Sequence, residues 1–166
     1  MKINALRKSY LWGAITLFLM IAIFCSSQMG YQQQTIIPMF QRHSFLMNSI
    51  ARLNFLSGIE FKYGTHLVQF KAATRVAAIE FVLRKLAHFF SFFMIAWSSY
   101  RSLSYQKLPH WYASIVALLL TIFYAGFDEM HQSLNPNRTA MIEDVILDSF
   151  GGLTAMLFLK FQEWQK

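Results

Sequence analysis

Four long apolar runs dominate the chain, at about Tyr10–Ser27, Leu86–Leu103, Tyr112–Phe127 and Val145–Phe161, and the polar residues gather between them. A helix needs about 20 apolar residues to cross the hydrocarbon of a bilayer, so each run predicts a transmembrane helix. The third run falls short of that length, which predicts a helix that continues past the hydrocarbon into the polar residues after Phe127. The first run follows Lys2, Arg7 and Lys8 and so begins like a signal peptide. Its length is that of a span, however, and it lacks a clear small-x-small cleavage site, so it is read as an uncleaved first helix. No internal repeat or low-complexity segment appears, and the expectation is a single all-α membrane domain of four spans over residues 1–166.

The connection between the first two runs, residues 28–85, has a finer pattern. From Gln41 to Leu56, the apolar residues Phe45, Leu46, Ile50, Leu53 and Leu56 recur at helical spacing opposite Arg42, Asn48 and Arg52, predicting one short amphipathic helix on the membrane surface. Ile59, Phe61 and Tyr63 alternate with polar residues, Gly64-Thr65-His66 offers a turn, and Val68 and Phe70 resume the alternation, which predicts a small β-hairpin. A helix is then expected from near Ala72 through Arg84-Lys85 into the second span. His43 and His66 fall in these surface segments and read as solvated side chains.

Composition supports the membrane reading. Of 166 residues, 55% are hydrophobic, 17% aromatic and only 14% charged, against about 25% charged in soluble domains. The net charge of +7 comes from basic residues scattered singly, with no basic run and no nucleic-acid-binding motif, so it does not point to nucleic acid. It reports orientation instead. Lys2, Arg7 and Lys8, then Arg101 and Lys107, then Lys160 and Lys166 flank the spans on one side, predicting an N-in, C-in arrangement by the positive-inside rule. The loop at residues 28–85 also carries seven basic residues but falls outside, the one feature that opposes this orientation. Cys25, the single cysteine, permits no intrachain disulfide and reads as a small packed or lipid-facing residue.

The charge is distributed unevenly. Five of the eight acidic residues, Asp128, Glu129, Glu143, Asp144 and Asp148, lie within one stretch, together with His131, Gln132 and Arg138. Arg84, Lys85 and His88 begin the second span, Asp128 and Glu129 end the third, and Glu143, Asp144 and Asp148 begin the fourth, so three spans deliver charge to the outer side. Lys85 and His88 share a helix face, as do Asp144 and Asp148, and as Asp128 and His131 do if the third helix continues. Charge inside a membrane is costly unless paired or hydrated, so these faces are expected to turn toward one another.

The segments Arg84-Lys85-Leu86-Ala87-His88-Phe89 and Asp128-Glu129-Met130-His131-Gln132, with Pro136, Arg138, Asp144 and Gly151-Gly152, resemble the VanZ-like membrane protein family. The likeness runs from about Phe81 to Phe158 and rests on the order and spacing of the pieces. Ser91 stands where the family often has an acidic residue, and Asn137 where it has a glycine. The resemblance implies a multi-span protein of the bacterial cytoplasmic membrane, in a family whose namesake is associated with resistance to the glycopeptide teicoplanin.

Three uses of the cluster stay open. Lys85, His88, Asp128, Glu129, His131, Gln132, Arg138, Asp144 and Asp148 can form a binding site, with Lys85 and Arg138 meeting the anionic group of a wall precursor, a lipid or another membrane protein. Glu129, Asp144 and His88 are the candidates for acid-base catalysis by a hydrolase or transferase on a lipid-linked substrate, and the carboxylates with His88 and His131 for a divalent metal. The third use is a purely structural lock of ion pairs among the spans. Arg138 stands six residues before Asp144, the arginine-to-histidine spacing of membrane phosphatidic-acid phosphatases, but an aspartate replaces their histidine nucleophile, which rejects that family. Ser133 and Ser149 lack nucleophile-elbow context. Asn135-Pro136-Asn137 reads as a turn, Gly151-Gly152 as a close helix contact, and the four tryptophans as packing or interfacial anchors.

Overall fold

Each apolar run folds as a helix. In the computed structural model, which describes residues 2–136 and 138–165, these are α1 (Lys2–Gln28), α5 (Arg75–Ser104), α6 (His110–Ser133) and α7 (Ile142–Trp164). Asn137 and Lys166, used above for the family pattern and the orientation, lie outside the described residues. The expected continuation of the third helix is present, since α6 carries Asp128, Glu129 and His131 within its last two turns. By length and apolarity alone, Ile3–Gln28 and His110–Ser133 suit a membrane crossing; α5 and α7 carry more charge. The chain forms two units, residues 1–28 with 88–166, and residues 29–87.

The first unit is a helical bundle with two layers of core. Ile23, Phe92, Ile95, Tyr124 and Ala125 form one, and Tyr100, Ala113, Ala117 and Leu159 the other. Polar groups cross between helices throughout. Ser9 and Ser102 each donate a hydroxyl to the other's carbonyl at 2.9 Å, Thr16 donates to Ser98 at 2.9 Å, and the Tyr124 hydroxyl donates to the carbonyl of Met20. Gly151 and Gly152 let α7 approach closely, as expected from the sequence. A Cβ at Gly151 would strike the carbonyl oxygen of Phe89 on α5, and one at Gly152 would lie 2.8 Å from Thr121 Cγ2 on α6. Cys25 is exposed on this unit.

The second unit is built around an arginine and a glutamate. Its elements are α2 (Tyr31–Gln34), α3 (Ile37–Arg42), α4 (Ser44–Ala51), a 3-10 turn at Asn54–Leu56, the antiparallel strands β1 (Glu60–Tyr63) and β2 (His66–Gln69), and the start of α5. The hairpin forms where expected. Tyr63 pairs with His66, so the turn is Gly64-Thr65, and Gly64 supplies the φ of 56° that a side chain would resist. The single surface helix expected over Gln41–Leu56 does not form. The chain is extended at His43, and α4 stops at Ala51, where Arg75 captures the terminal carbonyls of Ile50 and Ala51 at 3.2 and 2.8 Å. Arg75 also donates to Phe70 O, Asn54 Oδ1 and Ser57 Oγ, so a buried guanidinium is met by neutral acceptors.

Glu80, buried one turn and a half along α5, accepts from Arg84 at 2.8 Å, from the Ile36 backbone N–H that opens α3 at 2.9 Å, and from the Thr35 hydroxyl at 3.1 Å. Burial alone would raise its pKa, but the Arg84 pairing and these two hydrogen bonds outweigh it and hold the carboxyl below the usual range. Val68, Phe70 and Ala78 pack beside it with Leu56, Ile79, Phe81 and Val82.

Candidate functional site

At one end of the bundle the last turns of α1 and α6 meet the first turns of α7 and the His88 turn of α5. Asp128, Glu129, Gln132 and Asp148 are all buried there, at 1%, 7%, 6% and 4% exposure, although each is polar or acidic. Such groups persist in an apolar interior only where each finds a partner, and their partners differ.

Asp128 faces α1. Its Oδ1 accepts the Ser27 hydroxyl at 2.6 Å and its Oδ2 the Gln132 amide at 2.9 Å, so a buried carboxylate is held by two neutral donors. Glu129, its neighbour, turns away and accepts the backbone N–H of Met141, the residue before α7, which ties the end of α6 to the start of α7. Asp148 faces α5, with Oδ2 3.6 Å from His88 Nδ1, an ion-pair distance once the imidazole is charged but long for a hydrogen bond. Its other oxygen, Oδ1, is buried and has no partner among the described residues. His131 stacks on Phe24 at 4.3 Å and on Phe127 at 6.4 Å, and its Nδ1 is likewise buried without a partner.

Asp144 stands one turn before Asp148 and, with Glu143, lies in the first turn of α7, where a negative charge favours the helix dipole. Arg138 is half-buried in the α6–α7 connection. Its N–H donates to Asn135 O at 3.0 Å, and Asn135 in turn donates to Gln28 O at the end of α1 at 3.0 Å. This turn is the one expected from Asn135-Pro136. Lys85 belongs to the other unit, where its ammonium lies over the rings of Tyr63 and Phe81, at 4.9 and 5.2 Å. Arg84 of the same unit pairs with Glu80 and donates to Gln34 at 3.0 Å.

The carboxylates and histidines of the cluster do not converge as an all-protein metal site. Among the described residues no three His, Cys, Asp or Glu side chains converge on a common point, because Asp128 turns toward α1, Glu129 toward Met141 and Asp148 toward His88. A zinc site built from protein side chains needs at least that many convergent ligands, whereas magnesium is held by one or two carboxylates together with water and a substrate's phosphates.

A family model for VanZ/LLP1 matches residues 12–162, from the first helix to the end of the last. The chain belongs to the VanZ/LLP1 family. The match takes in most of the bundle and the intervening unit, well beyond the Phe81–Phe158 likeness read from the motifs. No curated protein and no solved structure matches it.

In this VanZ/LLP1 chain, the sequence reading missed the part played by α1. Ser27 supplies the shortest hydrogen bond to Asp128, and Phe24 supplies the ring under His131, so a fourth helix walls the site. The signal was present in Ser26-Ser27, two hydroxyls closing an otherwise apolar run, but the partner of Ser27 is 101 residues away in the chain. Met141 was invisible for a different reason, since it contributes only a backbone N–H.

Proposed function

We propose that this VanZ/LLP1 protein is a four-span, N-in, C-in protein of the bacterial cytoplasmic membrane, and that its polar site faces outward and binds a cell-wall precursor or lipid headgroup without turning it over. Support for four spans comes from the outward faces of the two more polar helices. Phe90 and Met94 on α5, and Phe150, Leu157 and Phe161 on α7, are exposed large apolar side chains of the kind that lipid accommodates and water does not.

The observation that carries the binding reading is the unpartnered Oδ1 of Asp148. A structural lock satisfies its members, as Asp128 and Glu129 are satisfied. A buried carboxylate oxygen left open beside a histidine instead suits a hydroxyl or N–H donor arriving with a ligand, while the Arg138 guanidinium suits an anionic group of the same molecule. A lipid-linked wall precursor carries both kinds of group, which agrees with the teicoplanin association of the family's namesake.

The test separates this reading from the lock. Asp148→Asn and Asp144→Asn are expected to leave expression and thermal stability near wild type while abolishing any change in teicoplanin susceptibility that the wild-type protein confers on a host. Loss of susceptibility change only in step with loss of folded protein would return the site to a structural role. Orientation is checked with a membrane-impermeant thiol reagent on a Cys25→Ser background. Thr139→Cys is expected to label from outside intact cells, and Lys107→Cys only after permeabilisation; the opposite pattern inverts the topology.

One observation favours a second reading. His88 beside buried Asp148 has the makings of a general base oriented by a carboxylate, which a hydrolase or transferase on a lipid-linked substrate would use. Turnover of such a substrate by purified protein, lost in His88→Gln, would select it.

A further inference from the structure

The opposite end of the bundle carries a second polar cluster of different chemistry, and it takes no part in the site above. Here α1 begins and α5 ends. Ser9 and Ser102 exchange hydrogen bonds across the two helices, and Gln106 Nε2 adds a third to Ser9 Oγ at 3.2 Å, so the helices are fixed against each other at this point. On that fixed base stands Tyr105. The guanidinium of Arg101 lies 5.6 Å from its ring centre and donates to its hydroxyl at 3.2 Å, and the ammonium of Lys8 lies 5.7 Å from the same ring. Arg101 is also 5.7 Å from the ring of Trp12 on α1.

Two cations therefore share one aromatic ring, and among the described residues neither has a carboxylate partner. Arg101 Nε is buried with no hydrogen-bond acceptor among the described residues, and Lys8 is exposed. Lys107, just past the end of α5, adds a third basic side chain and sits at a φ of 61°, a conformation glycine adopts at little cost. Tyr10, Trp111 and Trp164, exposed at 75%, 66% and 83%, stand at the same helix ends, where amphipathic rings mark the headgroup level of a bilayer.

We propose that Arg101 and Lys8, gathered on the ring of Tyr105 between α1 and α5, bind the phosphate of an anionic lipid headgroup. A phosphate presents several acceptor oxygens, which the Arg101 fork engages bidentately and Lys8 as a point charge. The paired rings orient both cations before the lipid arrives, and the adjoining apolar faces of α1 and α5 receive its acyl chains. The site is independent of how the acidic end functions.

Native mass spectrometry and thermal unfolding of the full-length protein in detergent test it, with phosphatidylglycerol, phosphatidylcholine and soluble glycerol phosphate as probes. The wild type is expected to retain phosphatidylglycerol in preference to phosphatidylcholine and to be stabilised by it, with no comparable effect of glycerol phosphate. Each positive charge removed is expected to weaken retention roughly fivefold, the factor for one basic side chain at an anionic membrane surface. Lys8→Gln, exposed and remote from the core, reads that factor even if Arg101→Gln disturbs folding, and Arg101→Lys separates loss of charge from loss of the fork. Equal retention of the two lipids by wild type, or a phosphatidylglycerol preference that survives in folded Lys8→Gln and Arg101→Gln proteins, overturns the proposal. Stabilisation by glycerol phosphate as strong as by the lipid overturns the lipid assignment.

Discussion

Gly151→Ala is expected to cost the bundle about 3 kcal/mol, the upper end of what overpacking usually costs. The added methyl meets the Phe89 carbonyl and lies near the Phe93 nitrogen, both backbone atoms of α5, so no side chain can turn aside to admit it. Alanine gains about 1 kcal/mol over glycine in helix propensity, which is too little to offset the clash, and α7 must move away from α5. Gly152→Ala is an internal control. Its methyl meets the Thr121 side chain rather than a backbone, and the expected loss is about 1 kcal/mol. Unfolding of the purified protein in a denaturing detergent measures both. A Gly151→Ala protein as stable as wild type would mean that the α5–α7 contact is looser than described.

The second large effect is expected at Asp128. Leucine in its place removes the acceptor of the Ser27 hydroxyl and leaves the Gln132 amide only its long contact to Ser27 Oγ at 3.5 Å, at about 1–3 kcal/mol for each donor so stranded. Ser27 can turn to a carbonyl of its own helix, so the expected loss is about 2 kcal/mol rather than twice that. Asp128→Asn keeps an acceptor and is expected to lose less than about 1 kcal/mol. A double-mutant cycle of Asp128→Leu with Ser27→Ala is the decisive measurement, because a coupling near zero would show that the Ser27 contact contributes nothing to holding α1.

These two sites also mark what could be read from the chain alone. The helices were legible because their apolar runs are long, and the hairpin because alternation and a glycine turn coincide within a dozen residues. The surface helix at Gln41–Leu56 was not, because its periodicity is real but Arg75, distant in sequence, takes the carbonyls that would extend α4. Similarly, the acidic residues were found as a cluster, yet their division into three separate pairings depends on rotation about each helix. Spacing placed Asp144 and Asp148 on one face; it could not reveal that Asp128 turns to Ser27, or that Glu129 spends itself on a backbone N–H. The membership of α1 in the site was hidden for the same reason.

Three of the polar contacts of α1 have a joint consequence. Ser9, Thr16 and Ser27 are separated by two and three helical turns, so they lie along one edge of the helix, and each meets a different residue, Ser102, Ser98 and Asp128. Apolar contacts in lipid are nearly interchangeable, since acyl chains satisfy a leucine as well as another helix does. Hydroxyls are less forgiving. Sliding α1 by a single turn would unmake all three pairings together, and Asp128 would lose the Ser27 hydroxyl. The first helix therefore docks in one vertical position, like a key whose cuts must all align before it turns.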